Sequence, residues 1–114
     1  MIQRIGSNAR MSEAVVHNGT VYLAGQVAGD LSAGTTEQTV QVLASIDKLL
    51  AEAGSDKTRI LRAEIFLADI AEFAQMNEAW DAWVPAGAVP ARATVQAALY
   101  HPDVRVEIVV TAAV

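Results

Sequence analysis

Arg92, Thr94 and Glu107 stand in two alternating runs near the C-terminus, "PARATVQAAL" and "VRVEIVV". A guanidinium keeps its proton in any protein setting, so a strand that half-buries Arg92 among small apolar residues must offer it an anion. That anion is either a carboxylate of the protein, with Glu107 on the following strand as the partner, or an acid arriving from solution. The planar fork suits a carboxylate, because two parallel charge-assisted hydrogen bonds fix distance and plane together. Thr94 lies two residues on and so faces the same way as Arg92. Glu107 falls on the side opposite Val106 and Ile108, where a carboxylate must either be paired, with Arg105 or Arg92, or hold water.

Other residues are weaker pointers. Gly25 in "LAGQV", on spacing alone, reads as a glycine relieving a strand end. Trp80 and Trp83, three apart, read as core or interface packing. Arg62 and Glu64 share a strand face and read as an ion pair of small value. His17 and His101 lie in or beside turns, too far apart in sequence for a zinc spacing, and take no role. With no cysteine in the chain, disulfides, thiolate metal sites and cysteine nucleophiles are excluded.

The elements that must position these residues follow from periodicity. "MIQRI" reads as a short edge strand, and "EAVVHNGTVYLAG" as two strands around a type I′ turn at Asn18-Gly19. Between Thr35 and Gly54 the period lengthens: Val40, Leu43, Ile46, Leu50 and Ala53, widened by Leu49, form the stripe of an amphipathic helix. Thr35 and Gln38 have capping-box spacing, and Gly54 fits the position just past the helix end. "RILRAEIFLA" sets Leu61, Ala63, Ile65 and Leu67 on one strand face and Arg62, Glu64 and Phe66 on the other. A second helix, with Asp69 and Glu72 in capping-box spacing, carries Phe73, Met76, Trp80 and Trp83 on one stripe until Pro85 and Gly87 stop it. Strands at 92–99 and 104–112 close the chain around the turn at 101–103. The expected order is β-β-β-α-β-α-β-β, an α+β fold whose right-handed crossovers lay two helices on one face of a mixed sheet.

Size and charge bound the rest. One domain spanning 1–114 is expected, without repeats or linkers. Hydrophobic residues make up 53% of the chain, yet no run reaches the about 18 apolar residues of a membrane span. The N-terminus lacks the apolar core of a signal peptide, so a cytoplasmic address is expected. The apolar surplus and the bare sheet face point to a homo-oligomer with pockets between chains. A net charge of −5 argues against nucleic-acid binding, which needs clustered cations.

Three segments together, "VYLAGQV", "FAQMNEAWDAW" and "PARATVQAALYHPDVRVEIVVTAAV", resemble the RidA/YjgF family of enamine/imine deaminases. The last joins a P-x-R-x-x-V strand to a D-V-x-[VI]-E-I strand at the family's spacing, and the Asn77 to Trp83 run looks most like the YoaB-like branch. The resemblance implies a chorismate-mutase-like fold, a homotrimer with sites in the clefts between subunits, and hydrolysis of short 2-imino acids to 2-oxo acids and ammonia without cofactor or metal. By the same resemblance Arg92 grips the substrate carboxylate. Glu107 and the backbone carbonyl of Thr94, where many members carry cysteine, hold the attacking water. Gly25 approaches the bound acid, and Asn77 is a supporting hydrogen bonder. Where members often carry G-P-Y, this chain reads "NARMSEA", placing Met11 near the position of a tyrosine that lines the cleft. A competing reading is a non-catalytic trimer that binds a 2-oxo acid. Ribonuclease activity, attached to relatives of the family, is disfavoured by the acidic charge. Chorismate mutase chemistry lacks the several converging cations that a dianion needs.

Overall fold

The computed structural model describes residues 1–114. Strands β1 (Gln3–Ile5), β2 (Ala14–His17) and β3 (Thr20–Leu23) precede helix α1 (Thr35–Glu52). Then come β4 (Ile60–Leu67), helix α2 (Phe73–Trp83), β5 (Ala91–Gln96) and β6 (Val106–Ala113), in the expected order. All six strands form one sheet in the order β1-β2-β3-β6-β4-β5, antiparallel except for the parallel pair β4–β5. The last strand therefore inserts between β3 and β4, and β5 is left as an edge.

Asn18 (φ 51°) and Gly19 (φ 76°) both take the left-handed conformation that the tight β2–β3 hairpin requires. Helix α1 buries Val42, Leu43, Ile46, Leu49 and Leu50, each burial worth about 1.5–3 kcal/mol. These side chains join Ala63, Ile65 and Leu67 of β4, Val106, Ile108 and Val110 of β6, and Met76 and Trp80 of α2 in a single cluster. Both helices thus cover the same sheet face, and the molecule is a slab of 42 × 38 × 20 Å. On the other face Tyr22 and Val95 are 52% and 48% exposed. No helix is long and apolar enough to cross a membrane.

Several local expectations are corrected. Leu61 is not on the core face: it is 54% exposed, and Ile60 is buried instead. A register irregularity between Ile60 and Arg62 against β6 reverses the alternation at that point. On α1, Val40 is 46% exposed and Val42 takes its place in the buried stripe; on α2, Phe73 is 39% exposed.

Neither capping box forms, because the side chains involved have partners elsewhere. Helix α1 starts from Gly34 without a side-chain cap. The Thr35 hydroxyl donates to Glu72 Oε1 (2.6 Å). The buried Gln38 amide donates to the carbonyls of Ala33 (3.0 Å) and Asp103 (2.9 Å), while its Oε1 accepts Arg105 N–H (2.9 Å). Asp69 caps only a short 3-10 turn, accepting from Ala71 N–H (2.9 Å). Glu72 instead receives both Nε (3.0 Å) and Nη2 (2.7 Å) of Arg105. Past α1, Gly54 (φ 81°) makes the expected stop, with Ser55 N–H donating to Leu50 O (2.8 Å) and Gly54 N–H to Ala51 O (3.1 Å).

The last two strands also shift. Strand β5 ends at Gln96 rather than 99 because its ladder partner β4 ends at Leu67, whose carbonyl takes one final bond from Ala97 N–H (2.9 Å). Strand β6 begins at Val106 rather than 104, the Arg105 N–H being already committed to Gln38.

Candidate functional site

Residues paired across a sheet share a face. Arg92 lies opposite Ala63, which lies opposite Val110; Thr94 lies opposite Ile65 and then Ile108. Since those neighbours are fully buried under the helices, Arg92 and Thr94 point to the helix-covered side, at the edge strand. Glu107 lies opposite Phe66, which pairs with Val95 on the open side. Arg92 and Glu107 therefore face opposite sides of one sheet, with β4 between their strands. No ion pair joins them.

Arg92 is received by one stripe of α2. Phe73, Asn77 and Trp80, spaced four and three apart, stack along the helix surface that meets β5. Arg92 Nη1 donates to Asn77 Oδ1 at 2.7 Å. Its guanidinium carbon lies 5.6 Å from the Phe73 ring centroid and 5.3 Å from that of Trp80, within cation–π range. The carboxylates that do form ion pairs serve Arg62 (Glu64, 3.6 Å) and Arg105 (Glu72, 2.7 Å), while His101 Nδ1 accepts the Asp103 N–H (3.0 Å). Arg92 thus keeps N–H donors that no carboxylate of the chain engages. Arg62 and Glu64 are paired and about half exposed, as the strand alternation suggests.

Glu107 and Gly25 form the other group. A Cβ built on Gly25 would stand 2.0 Å from Glu107 Oε2 and 2.9 Å from its Cδ. Only glycine leaves room for that carboxylate, and this close fit, invisible as a spacing, is the physical need for glycine there. Glu107 pairs with neither Arg105 nor Arg92: the first is held by Glu72 and the second by Asn77. Gln26 fixes the segment by exchanging backbone bonds with Ile108 (2.9 and 3.1 Å). Met11, 44% exposed, stands in the loop between β1 and β2, which is tied to the Gly25 segment where Ala24 N–H donates to Glu13 O (2.8 Å). It thus lies by the β1–β2 edge of the sheet, away from the β5 edge that carries Arg92.

Thr94 Oγ1 is buried with no hydrogen-bond partner. A buried hydroxyl without a partner is costly, whereas an apolar group of the same shape is neutral or favourable. Thr94→Val is therefore expected to raise stability by about 1 kcal/mol, read as a higher urea midpoint. A lower midpoint would show that the hydroxyl has a partner in solution.

The chain has two clefts of its own, and neither contains Arg92 or Glu107. One, about 300 Å³, lies by Glu13, Gln26, Lys48 and Glu52; the other, about 240 Å³, by Val40, Lys57 and Trp83. Of the six residues singled out from sequence, Arg92, Thr94 and Asn77 thus lie on one side of the sheet and Glu107 and Gly25 on the other, with Met11 in the loop between β1 and β2. Sequence reasoning passed over Phe73 and Trp80 as neighbours of Arg92. The signal was their spacing around Asn77 on one helical stripe.

The family model described as Endoribonuclease L-PSP matches residues 1–114. The RutC family protein YoaB of Escherichia coli is 53% identical over 113 residues, covering 99% of this chain and 98% of that protein. A 2-iminobutanoate/2-iminopropanoate deaminase of Rattus norvegicus is 34% identical over 103 residues, covering 85% of this chain and 74% of the rat protein. A crystal structure of a YjgF family member from Neisseria meningitidis superposes with a TM-score of 0.94 at 50% identity, covering 99% of this chain and 94% of the other. With its whole length matched by the family model and its fold shared with a crystallised member, the chain belongs to the RidA/YjgF (endoribonuclease L-PSP) family, among relatives that bear the name YoaB.

Proposed function

We propose that the protein hydrolyses short-chain 2-imino acids to 2-oxo acids and ammonia, at sites completed where two chains of a homotrimer meet. The observation that carries this reading is the unanswered guanidinium: Arg92 is oriented by Asn77 and two aromatic rings, yet no carboxylate of the chain reaches it. The deaminase name borne by the rat relative agrees in substrate class, an acid with one carboxylate beside a C=N bond.

A site that uses both Arg92 and Glu107 takes them from different chains, since within one chain they face opposite sides of the sheet. Arg92, Thr94 and Asn77 come from one subunit, and Glu107 with Gly25 from the next. The exposed Tyr22 and Val95 lie on the sheet face that association would cover.

In this mechanism the Arg92 fork holds the carboxylate and fixes the plane of the adjoining C=N group. Glu107 and the Thr94 carbonyl hold a water against the imine carbon. Glu107 accepts a proton from the water as its oxygen bonds to carbon, and returns that proton to the imine nitrogen. The resulting aminoalcohol then breaks its C–N bond as its hydroxyl proton passes by way of Glu107 to the leaving nitrogen, releasing ammonia and leaving the 2-oxo acid. Imines of this kind hydrolyse in water unaided, so orientation and a held water are sufficient help.

The test couples an L-amino-acid oxidase, which makes imines of graded side-chain size, to semicarbazide trapping. The protein is expected to suppress semicarbazone formation and speed ammonia release, most strongly for short side chains. Binding of 2-oxo acids with no such suppression would refute catalysis and leave a binding protein.

A further inference from the structure

Trp80 is 5% exposed and, by its place on the α2 stripe, a core residue. Its ring nonetheless lies under the Arg92 guanidinium at 5.3 Å. Further contacts hold the ring from behind. Trp83 packs on Trp80 with centroids 5.5 Å apart and planes tilted by 51°. Trp83 in turn donates its Nε1–H to Asp47 Oδ2 of α1 (2.9 Å), and Lys57 Nζ donates to the Trp83 carbonyl (2.8 Å) while lying 5.3 Å from its ring. The string Asp47/Lys57–Trp83–Trp80–Arg92 runs from the surface of α1 to the guanidinium.

An arginine on an edge strand is otherwise free to sweep through many rotamers, losing the entropy of that freedom each time it grips a ligand. A hydrogen bond at one edge, from Asn77, fixes a single point. Aromatic rings fix the plane. We propose that Trp80 is a positioning residue: resting on the reading of Arg92 as the carboxylate anchor, it holds the guanidinium in the plane in which its remaining N–H groups meet an incoming carboxylate. Phe73, 39% exposed, contributes the second ring, but only Trp80 is braced from behind.

Two consequences distinguish this role from core packing alone. First, affinity for the acid depends on an aromatic ring at position 80 and not on volume. Second, Trp80 reports the ligand, because carboxylate binding changes the charge over its indole. The chain has two tryptophans, so the two reporters separate cleanly.

The probe is 2-oxobutanoate, a stable acid of the product class, titrated by calorimetry and by tryptophan emission into the folded, assembled protein. Trp80→Leu is expected to weaken binding by about three- to thirtyfold, and Trp80→Phe by much less. Both lower the melting temperature, since each leaves a void. In Trp83→Phe, 2-oxobutanoate still shifts the emission; in Trp80→Phe it does not. The role of Trp80 is overturned if folded Trp80→Leu binds like the parent, if Trp80→Phe loses as much as Trp80→Leu, or if the emission of Trp83→Phe ignores the ligand. Should Trp80→Leu fail to fold, the Trp80→Phe and Trp83→Phe titrations decide alone. Arg92→Ala separates the two levels: normal binding by that variant removes the anchor itself, whereas lost binding there with normal binding in Trp80→Leu removes only the positioning role.

Discussion

Arg92→Ala is expected to lower kcat/KM for a short 2-imino acid by at least about a hundredfold, each of the two charge-assisted bonds of a fork being worth about 1.5–3 kcal/mol. The fall comes from an interaction that nothing else in the chain replaces, for the nearby polar group, Asn77, presents its Oδ1 to Arg92 and would repel a carboxylate. Stability changes little by comparison, because Arg92 has no ion pair to lose and sits at the sheet edge. Arg92→Lys restores only part of the rate: an ammonium keeps the charge but not the planar fork, nor its stacking on Phe73 and Trp80. Steady-state rates with oxidase-generated imine, alongside circular dichroism, check this. An alanine variant that hydrolyses imine as fast as the parent contradicts the anchor.

Gly25→Ala is the second large effect, and its logic is steric. The new methyl group would lie 2.0 Å from Glu107 Oε2, far inside contact distance. Relief is easy in one direction only. The obstructing atom is the far end of a flexible side chain, and Gly25 does not need a left-handed backbone, so the chain folds and the carboxylate swings away. If Glu107 aims and deprotonates the water, the loss should match that of a missing general base, about 10²- to 10⁴-fold in kcat. A double-mutant cycle sharpens the result: once Glu107 is alanine, Gly25→Ala has no carboxylate to displace and should cost nothing further. Independent, multiplying effects would separate Gly25 from Glu107.

The order of elements was legible because each depends on local signals. Asn18-Gly19 specified the hairpin, Gly54 stopped α1, and the change from period two to period three or four marked both helices. Errors arose where a non-local partner overrode a local pattern. The spacings of Thr35 with Gln38 and of Asp69 with Glu72 imitate capping boxes, yet Arg105, distant in sequence, draws both Gln38 and Glu72 inward. Leu61 fits the alternation of β4, but one irregularity against β6 sends it to solvent.

For the site, the residue types were readable and their geometry was not. Arg92 and Glu107 stand on consecutive strands, which suggests neighbours; strand order places β4 between them and the alternation turns them to opposite faces. Gly25 reads as a strand-end glycine until the Glu107 carboxylate is seen against it. Trp80 belongs to a core stripe and also touches Arg92, a double duty that hydrophobic periodicity does not encode.

The division of the site between chains is open to one direct measurement. Arg92→Ala and Glu107→Gln chains, each inactive alone, are co-refolded in equal amounts and assayed for imine hydrolysis. In a cyclic trimer about three quarters of the assemblies are mixed, and each mixed assembly rebuilds one intact site of three, so activity should return to about a quarter of the parent value. A mixture as inactive as its two components would contradict a site shared between subunits.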